Sequence, residues 1–361
     1  MKKVLHVITN FAAVGGAEMM LSRLIQAQPD CQHYVVALMQ INQTYHAALQ
    51  QCAAHYALHW NGLNTLQSIF KLRKIIQDIQ PDVIQGWMYH ANVLTTLSTM
   101  GLKTKPPVFW GIHHSLASPK EESRSTKIAL QLSRYLSSFA SGIIYCAQSA
   151  LQQHQAFGFR NPRQLVIPNG IELERFQFRS FSEHSPLVVG FAGRFHPAKG
   201  YAYLLETIVR LRGYPVRFKI AGRGANLDNP ELHALLEQHQ VDFNQIELLD
   251  QVEDMPNFYA SLDLFLMTSI TEGFPNVLVE AMASGVPCIT TDVGDAGLIV
   301  ADTGYVVPPR DATQMAASIL QYLELSVQEK QQKQNNARSR IEENFTIQAI
   351  RQNYLHVWNI A

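Results

Sequence analysis

Cysteine is scarce in this chain. It has four, Cys31, Cys52, Cys146 and Cys288, in 361 residues, with no C-x-x-C pair. That spacing suggests neither a disulfide framework nor a zinc cluster, and the expected setting is the reducing cytoplasm. Charge is sparse as well: 16% of residues are charged, and 29 basic side chains balance 29 acidic ones to a formal net charge of zero. Without a basic excess there is no electrostatic footprint of a dedicated nucleic-acid binder, so no nucleic-acid partner is expected. No apolar run approaches the ~18 to 20 residues that a membrane-spanning helix requires. Met1-Lys2-Lys3 is basic, but the apolar stretch Val4–Ile8 is too short for the core of a signal peptide. There is no D-x-D pair, no H-E-x-x-H, no Cys/His metal spacing, no G-x-S-x-G and no Walker loop. No bound metal and no resident cofactor is therefore expected.

What is present is enough for a large core. The chain is 47% hydrophobic and long enough for two domains, which excludes wholesale disorder. The zero net charge hides an asymmetry. Residues 1–165 carry 14 Lys and Arg against 6 Asp and Glu, or +8, and the remainder carries −8. Such a difference suggests that each half meets a different partner, although uneven surface charge without a role fits it equally.

Short β-rich runs alternate with helical periodicity. In the first half they are Val4–Thr9, Tyr34–Leu38, Val83–Gly86, Val108–Ile112 and Gly142–Tyr145, with a helix from about Ala17 to Gln26, and this series ends near Arg163. A second series begins at Leu187–Gly193 and continues with Val216–Ala221, Ile246–Leu249, Leu262–Met267, Pro287–Thr290 and Tyr305–Val307. Alternation of this kind means βαβ units and parallel sheets. Ile167-Pro168-Asn169-Gly170 and a polar stretch with Ser180, Ser182, Ser185 and Pro186 separate the two series. The tail from about Thr313 reads as helix, broken near Asn344-Phe345-Thr346, with a solvated helix over Gln328–Asn336. The expected architecture is two doubly wound, Rossmann-like α/β domains. Their boundaries are 1–165 and 166–344, followed by a C-terminal segment 345–361. In such folds ligands bind outside the carboxyl ends of the strands, so the default site is a cleft faced by both domains.

The strand ends of the second half carry the chemistry. After Leu262–Met267 a loop leads to Glu272-Gly273-Phe274-Pro275-Asn276-Val277, where a helix starts that carries Glu280. Proline suits a first helical turn, asparagine can cap it, and N–H groups at Phe274, Asn276 and Val277 make an anion site suited to phosphate. Glu272 and Glu280 flank it, and a carboxylate is a good acceptor for vicinal hydroxyls. Phosphate between two hydroxyl-reading acids fits a nucleotide sugar; a surface glutamate and a dipole-stabilising one fit the same spacing. The strand ending at Ala192 is followed by Gly193, Arg194 and Lys199. Two cations on that loop can neutralise a diphosphate, or simply face solvent. Ala221-Gly222-Arg223-Gly224 lacks the third glycine of a dinucleotide fingerprint. In the first half, Gly15-Gly16-Ala17-Glu18 opens a helix after strand one, and Val108–Ile112 ends in His113-His114. Both lie at strand ends, and both also read as structural.

Taken together these segments resemble the retaining glycosyltransferases of family 4, with the GT-B fold. The resemblance rests on Glu272 to Glu280 followed by Ala-Met-Ala-Ser-Gly-Val-Pro, on Gly193-Arg194 with Lys199-Gly200, on Ile167-Pro168-Asn169-Gly170-Ile171, and on Gly15-Gly16-Ala17-Glu18. It departs from the family at Glu172, where Asp is usual, and at Gly294-Asp295-Ala296, where many members have Gly-Gly.

The resemblance implies roles. Glu272 would contact hydroxyls of the donor sugar, and Glu280 the ribose. Arg194 and Lys199 would hold the diphosphate, helped by amides around Phe274 to Val277. His113 would lie near the reacting centre, with His114 as the fallback. Gly15, Gly16, Glu18, Gly193, Gly222, Val252, Gly273 and Pro275 would complete the substrate contacts. The C-terminal helix would return to the first domain. The implied activity is transfer of a sugar from a nucleotide-diphosphate sugar, expected to be a UDP-sugar, with retention and without metal. The implied acceptor is a glycan or lipid-linked glycan of cell-surface polysaccharide, capsule or lipopolysaccharide. Lys103, Lys105, Lys120, Arg124, Lys127 and Arg134 would let the first half lean on an anionic inner membrane leaflet. A nucleotide-sugar epimerase and a non-catalytic nucleotide-sugar binder are the alternatives.

Overall fold

The computed structural model describes residues 1–13, 15–178 and 185–359, so Ser180 and Ser182 of the polar junction, and the last two residues of the tail, lie outside the described residues. The chain forms two compact units, one of Met1–Gly170 with Ile347–Ala361, the other of Ile171–Thr346. All four cysteines are unbridged.

Unit 1 contains β1 (Lys2–Ile8), β2 (Cys31–Ala37), β3 (Cys52–Ala57), β4 (Val83–Trp87), β5 (Val108–Ile112), β6 (Gly142–Tyr145) and β7 (Gln164–Val166). They form one parallel sheet in the order 3-2-1-4-5-6-7. Unit 2 repeats the plan with β8 (Leu187–Ala192), β9 (Val216–Ala221), β10 (Ile246–Asp250), β11 (Leu264–Met267), β12 (Cys288–Thr291) and β13 (Tyr305–Val307). Its parallel order is 10-9-8-11-12-13. Strands β4, β5, β6, β11 and β12 are buried along their whole length, as expected where helices cover both faces of a parallel sheet. In each unit the order reverses beside the first strand, between β1 and β4 and between β8 and β11. Those are the switch points at which doubly wound sheets bind ligands.

Two strands are absent from the sequence reading. β3 has the sequence CAAHYA, with no apolar run, and pairing to β2 holds it at the sheet edge. β7 is three half-buried residues at the other edge, and it carries the first series past Arg163 to Val166. β11 starts at Leu264 rather than Leu262, because the Asp263 carboxylate accepts the Val188 N–H at 2.7 Å. The helical tail has a further break before Val327, where Ser326 and Glu329 form a reciprocal capping box.

The helix Ile347–Val357 belongs to unit 1. Ile347, Ile350 and Tyr354 are buried in one core with Val4, Leu21 and Leu24. Arg163 donates to the Val357 carbonyl at 2.9 Å, and the Trp358 indole donates to Gln85 at 3.1 Å.

Candidate functional site

In unit 2, the loops after β8 and β11 are fastened to each other. Thr268 donates its hydroxyl to the Lys199 carbonyl at 3.0 Å, and the Ile270 N–H donates to the Ala198 carbonyl at 2.8 Å. Gly200 has a φ of +67°, and a Cβ there would come within 2.1 Å of the Thr268 carbonyl oxygen. Only glycine fits both the left-handed backbone and the close approach.

This fastening fixes the charged side chains. Lys199 Nζ lies 2.5 Å from Glu272 Oε1, with both side chains largely covered. The Ser269 hydroxyl donates to the same oxygen at 2.7 Å. An ammonium has three donors, so the pair leaves Lys199 two for an incoming anion. Gly193 lies under the Lys199 stem, and Arg194 beside it is exposed, with no side-chain hydrogen bond or ion pair among the described residues.

The helix Asn276–Ala283 follows. The sequence reading took Asn276 as its cap; the cap position is held by Pro275, Asn276 is the first helical residue, and no side chain caps the helix. That leaves the first turn without a capping side-chain oxygen, which suits an anion site. The Phe274 ring is buried 5.8 Å from that of Phe345, so this residue offers only its backbone outward. Gly273 accepts the Asp295 N–H at 3.0 Å, and the Thr291 hydroxyl donates to the Ser269 carbonyl at 2.7 Å. The loop after β12, with its unusual Gly294-Asp295-Ala296, thus braces the Glu272–Gly273 turn. Gly294 is required there: its φ is +58°, and a Cβ would meet the Gly273 carbonyl oxygen at 2.4 Å.

Glu280 is buried, not on a helix surface, and the Tyr259 hydroxyl donates to its Oε2 at 3.1 Å. Burial and this carboxylate push the Tyr259 phenol well above its usual range. Gly222 donates to the Asp250 carbonyl at 2.6 Å and packs on the Gly193 carbonyl. Val252 lies on the loop after β10, at the sheet edge.

In unit 1, His113 follows β5 directly and donates its Nδ1–H to Asn169 Oδ1 at 3.0 Å. Burial drives its pKa down from 6.5 to about 4. His114 is engaged by Glu122 at 2.7 Å. Gly15 precedes the first helix residue, Gly16, and the Glu18 carboxylate folds back over Gly15, where burial raises its pKa. The six cations do not form one patch. Lys103 and Lys105 line a cavity with Arg73 at the amino end of β5, the opposite edge from His113. Arg124, Lys127 and Arg134 lie on the helix Arg124–Leu136, whose exposed Ile128 and Leu132 border a separate cavity of about 500 Å³ with Trp60, Val93 and Leu97. No helix among the described residues is long and apolar enough to cross a membrane, and none of their acidic, histidine or cysteine side chains cluster in threes as metal ligands.

Tyr259, Ser269 and Asn169 hold the predicted residues in place. Asn169 and Ser269 lay in segments the sequence marked; Tyr259 carries no motif and is found through its partner.

Two family models match in tandem: Glycosyltransferase Family 4 over residues 14–175 and Glycosyl transferases group 1 over residues 186–325. The putative glycosyltransferase EpsF of Bacillus subtilis is 33% identical, over 35% of this chain and 35% of its own length. The putative colanic acid biosynthesis glycosyltransferase WcaL of Escherichia coli is 29% identical over 54% and 51%. The capsular polysaccharide biosynthesis glycosyltransferase CapM of Staphylococcus aureus is 29% identical over 50% of each. The matches thus span a third to a half of the length of these curated relatives. Among solved structures, Anabaena HepE in complex with UDP-glucose superimposes with a TM-score of 0.82 over 100% of both chains at 22% identity. The lipopolysaccharide outer core galactosyltransferase WaaB gives 0.77 over 99% and 100% at 14%.

Proposed function

This chain belongs to the glycosyltransferases of family 4, and from that membership we propose that it transfers a sugar from a UDP-sugar to a growing cell-surface glycan, with retention of configuration. The observation that carries the reading is the assembly in unit 2. Lys199 is paired with Glu272, Arg194 stands on the same loop, and both strand ends meet at an uncapped helix N-terminus. Cations and helix amides receive the diphosphate and stabilise its growing charge as it leaves the anomeric carbon. The acceptor hydroxyl attacks from the same face, and its proton passes to the departing phosphate oxygen. Glu272 accepts hydroxyls of the sugar. Glu280, oriented by Tyr259, accepts those of the ribose. Arg194 and Lys199 supply the positive charge, so the reaction runs without metal. The UDP assignment is supported by HepE, crystallised with UDP-glucose.

The acceptor reading is a lipid-linked glycan at the cytoplasmic leaflet. It is supported by the relatives named for colanic acid and capsule. In unit 1 it is supported by the apolar cavity beside Ile128 and Leu132, on the helix that also carries Arg124 and Lys127. Hydrocarbon and phosphate in one molecule match apolar lining and cations on one helix.

Arg194→Ala and Lys199→Ala are each expected to lower turnover of UDP-glucose by ~10² or more, as loss of one oxyanion donor does. Turnover that survives both changes refutes the diphosphate role. Activity lost in EDTA and regained with Mg²⁺ refutes metal independence. Flotation with liposomes is expected only when they carry anionic lipid.

A further inference from the structure

The donor-site reading gives Ile167-Pro168-Asn169-Gly170 no task, although the segment ends unit 1 and Asn169 is buried. Asn169 Oδ1 lies 3.0 Å from His113 Nδ1. An amide oxygen only accepts, so this bond requires the proton on Nδ1. The other ring nitrogen of a neutral imidazole then carries a bare lone pair. That nitrogen, Nε2, is buried and has no hydrogen-bond partner among the described residues.

The ring is clamped as well as polarised. It stacks on Trp87 with centroids 5.2 Å apart, and its backbone N–H rests on Met88 Sδ at 3.4 Å. Met88 holds a φ of +71°, a left-handed conformation. For a residue other than glycine that is strained, and such strain gathers at ligand clamps and active sites. Burial keeps the imidazole neutral at physiological pH.

We infer that Asn169 is a positioning residue: it fixes the Nδ1–H tautomer of His113, so that Nε2 is a pure acceptor that selects a hydroxyl on the substrate and rejects a carboxylate. Selection of a hydroxyl rests on the sugar-transfer reading and on His113 facing substrate, as the family resemblance implies; the tautomer rests on neither. A sugar hydroxyl donates to Nε2. A uronic acid would set its carboxylate oxygens against the lone pair, leaving both acceptors unsatisfied.

Histidine-¹⁵N labelling and long-range ¹H–¹⁵N correlation at pH 7.5 test the tautomer directly, with the His113 signals assigned by their loss in His113→Gln. The wild-type protein is expected to show protonated Nδ1 and unprotonated Nε2. Asn169→Leu should lose that pattern, and Asn169→Asp, which keeps an oxygen acceptor, should restore it. Protonated Nε2 in the wild type overturns the proposal whatever the activity. Kinetics test the selection. With UDP-glucose, Asn169→Leu should lower kcat about tenfold or more while KM changes less, since what is lost is orientation. Wild-type turnover of UDP-glucuronic acid should be under about a hundredth of that with UDP-glucose. Equal turnover of the two overturns the selection. A correct tautomer together with no turnover of any UDP-sugar would instead strike the donor reading and leave the positioning role standing.

Discussion

Both units wind their first six strands in the same order, yet they bury different chemistry. Unit 1 hides neutral polar groups: His6, His33, His154, Gln28, Gln85 and Asn92, with Arg23 the one buried charge among its described residues. Unit 2 hides ionisable ones: Asp263, Glu280, Asp295 and Lys330. Apolar alternation sets the sheet order in both. What distinguishes them is the cost of the polar group inside. A hydrogen-bonded imidazole or amide is tolerated in a core, whereas a buried charge costs several kcal/mol unless it is paired. A carboxylate held just under a strand-end loop therefore points more directly to a ligand than a buried histidine does.

The sharpest way to break this contrast is at the pair itself. Glu272→Gln removes the charge that pairs with Lys199 and replaces one acceptor oxygen by an amide donor while keeping the shape. Turnover should fall ~10² or more, with the unfolding of unit 1 unchanged. All four tryptophans, Trp60, Trp87, Trp110 and Trp358, lie in unit 1, so their emission reports that unit alone. Full activity in Glu272→Gln would show that the Lys199–Glu272 pair is structural.

Acid should strike unit 1. Trp87 Nε1 donates to His6 Nδ1, which leaves His6 Nε2 to donate to His33 Nδ1, and His33 Nε2 to donate to the Gln28 carbonyl. Every ring nitrogen in this relay is committed in the neutral state. Burial accordingly holds His6 well below 6.5, and His33 and His154 at about 4. A histidine whose folded pKa lies below its unfolded one binds more protons when unfolded. The stability it contributes is complete above pH 6.5 and is lost as pH falls toward 4. For His33 or His154 the loss approaches about 3 kcal/mol over that window. Urea midpoints followed by tryptophan emission should fall between pH 7 and pH 4.5. A flat profile would contradict the buried-neutral description.

How much of this was legible in the sequence depends on which force fixes each feature. Strands such as Val108–Ile112 and Val216–Ala221 were readable to the residue, because an apolar run in the one and strict apolar alternation in the other, bounded by turns, leave little choice. β3 and β7 were not, because edge strands are held by a neighbour's ladder rather than by their own composition. Glu272, Glu280, Arg194 and Lys199 stood at strand ends in the sequence, and the family resemblance rather than their spacing grouped them as one set. The Lys199–Glu272 contact was not readable, because 73 residues separate the partners and only the folded loops join them. The cap at Pro275 was misassigned to Asn276 for a local reason: both residues suit a helix start, and the backbone decides which one stands outside it.

Tyr259 gives the gentlest test of the contrast. Its hydroxyl donates to Glu280 from the helix Met255–Ala260, and no motif marks it. Tyr259→Phe deletes one oxygen and leaves the ring packed between Phe176 and Phe265. Loss of one hydrogen bond to a buried carboxylate costs about 1.5–3 kcal/mol. If Glu280 reads the ribose, part of that loss should appear in binding, as UDP affinity weakened about three- to tenfold by calorimetry. A 2′-deoxyribose UDP analogue should lose less in the variant than in the wild type, because the acceptor it bypasses is the one already weakened. Tryptophan emission on urea unfolding should stay put, since the change lies in unit 2. Equal losses for both nucleotides would mean that Tyr259 and Glu280 serve the core of unit 2 and not its ligand.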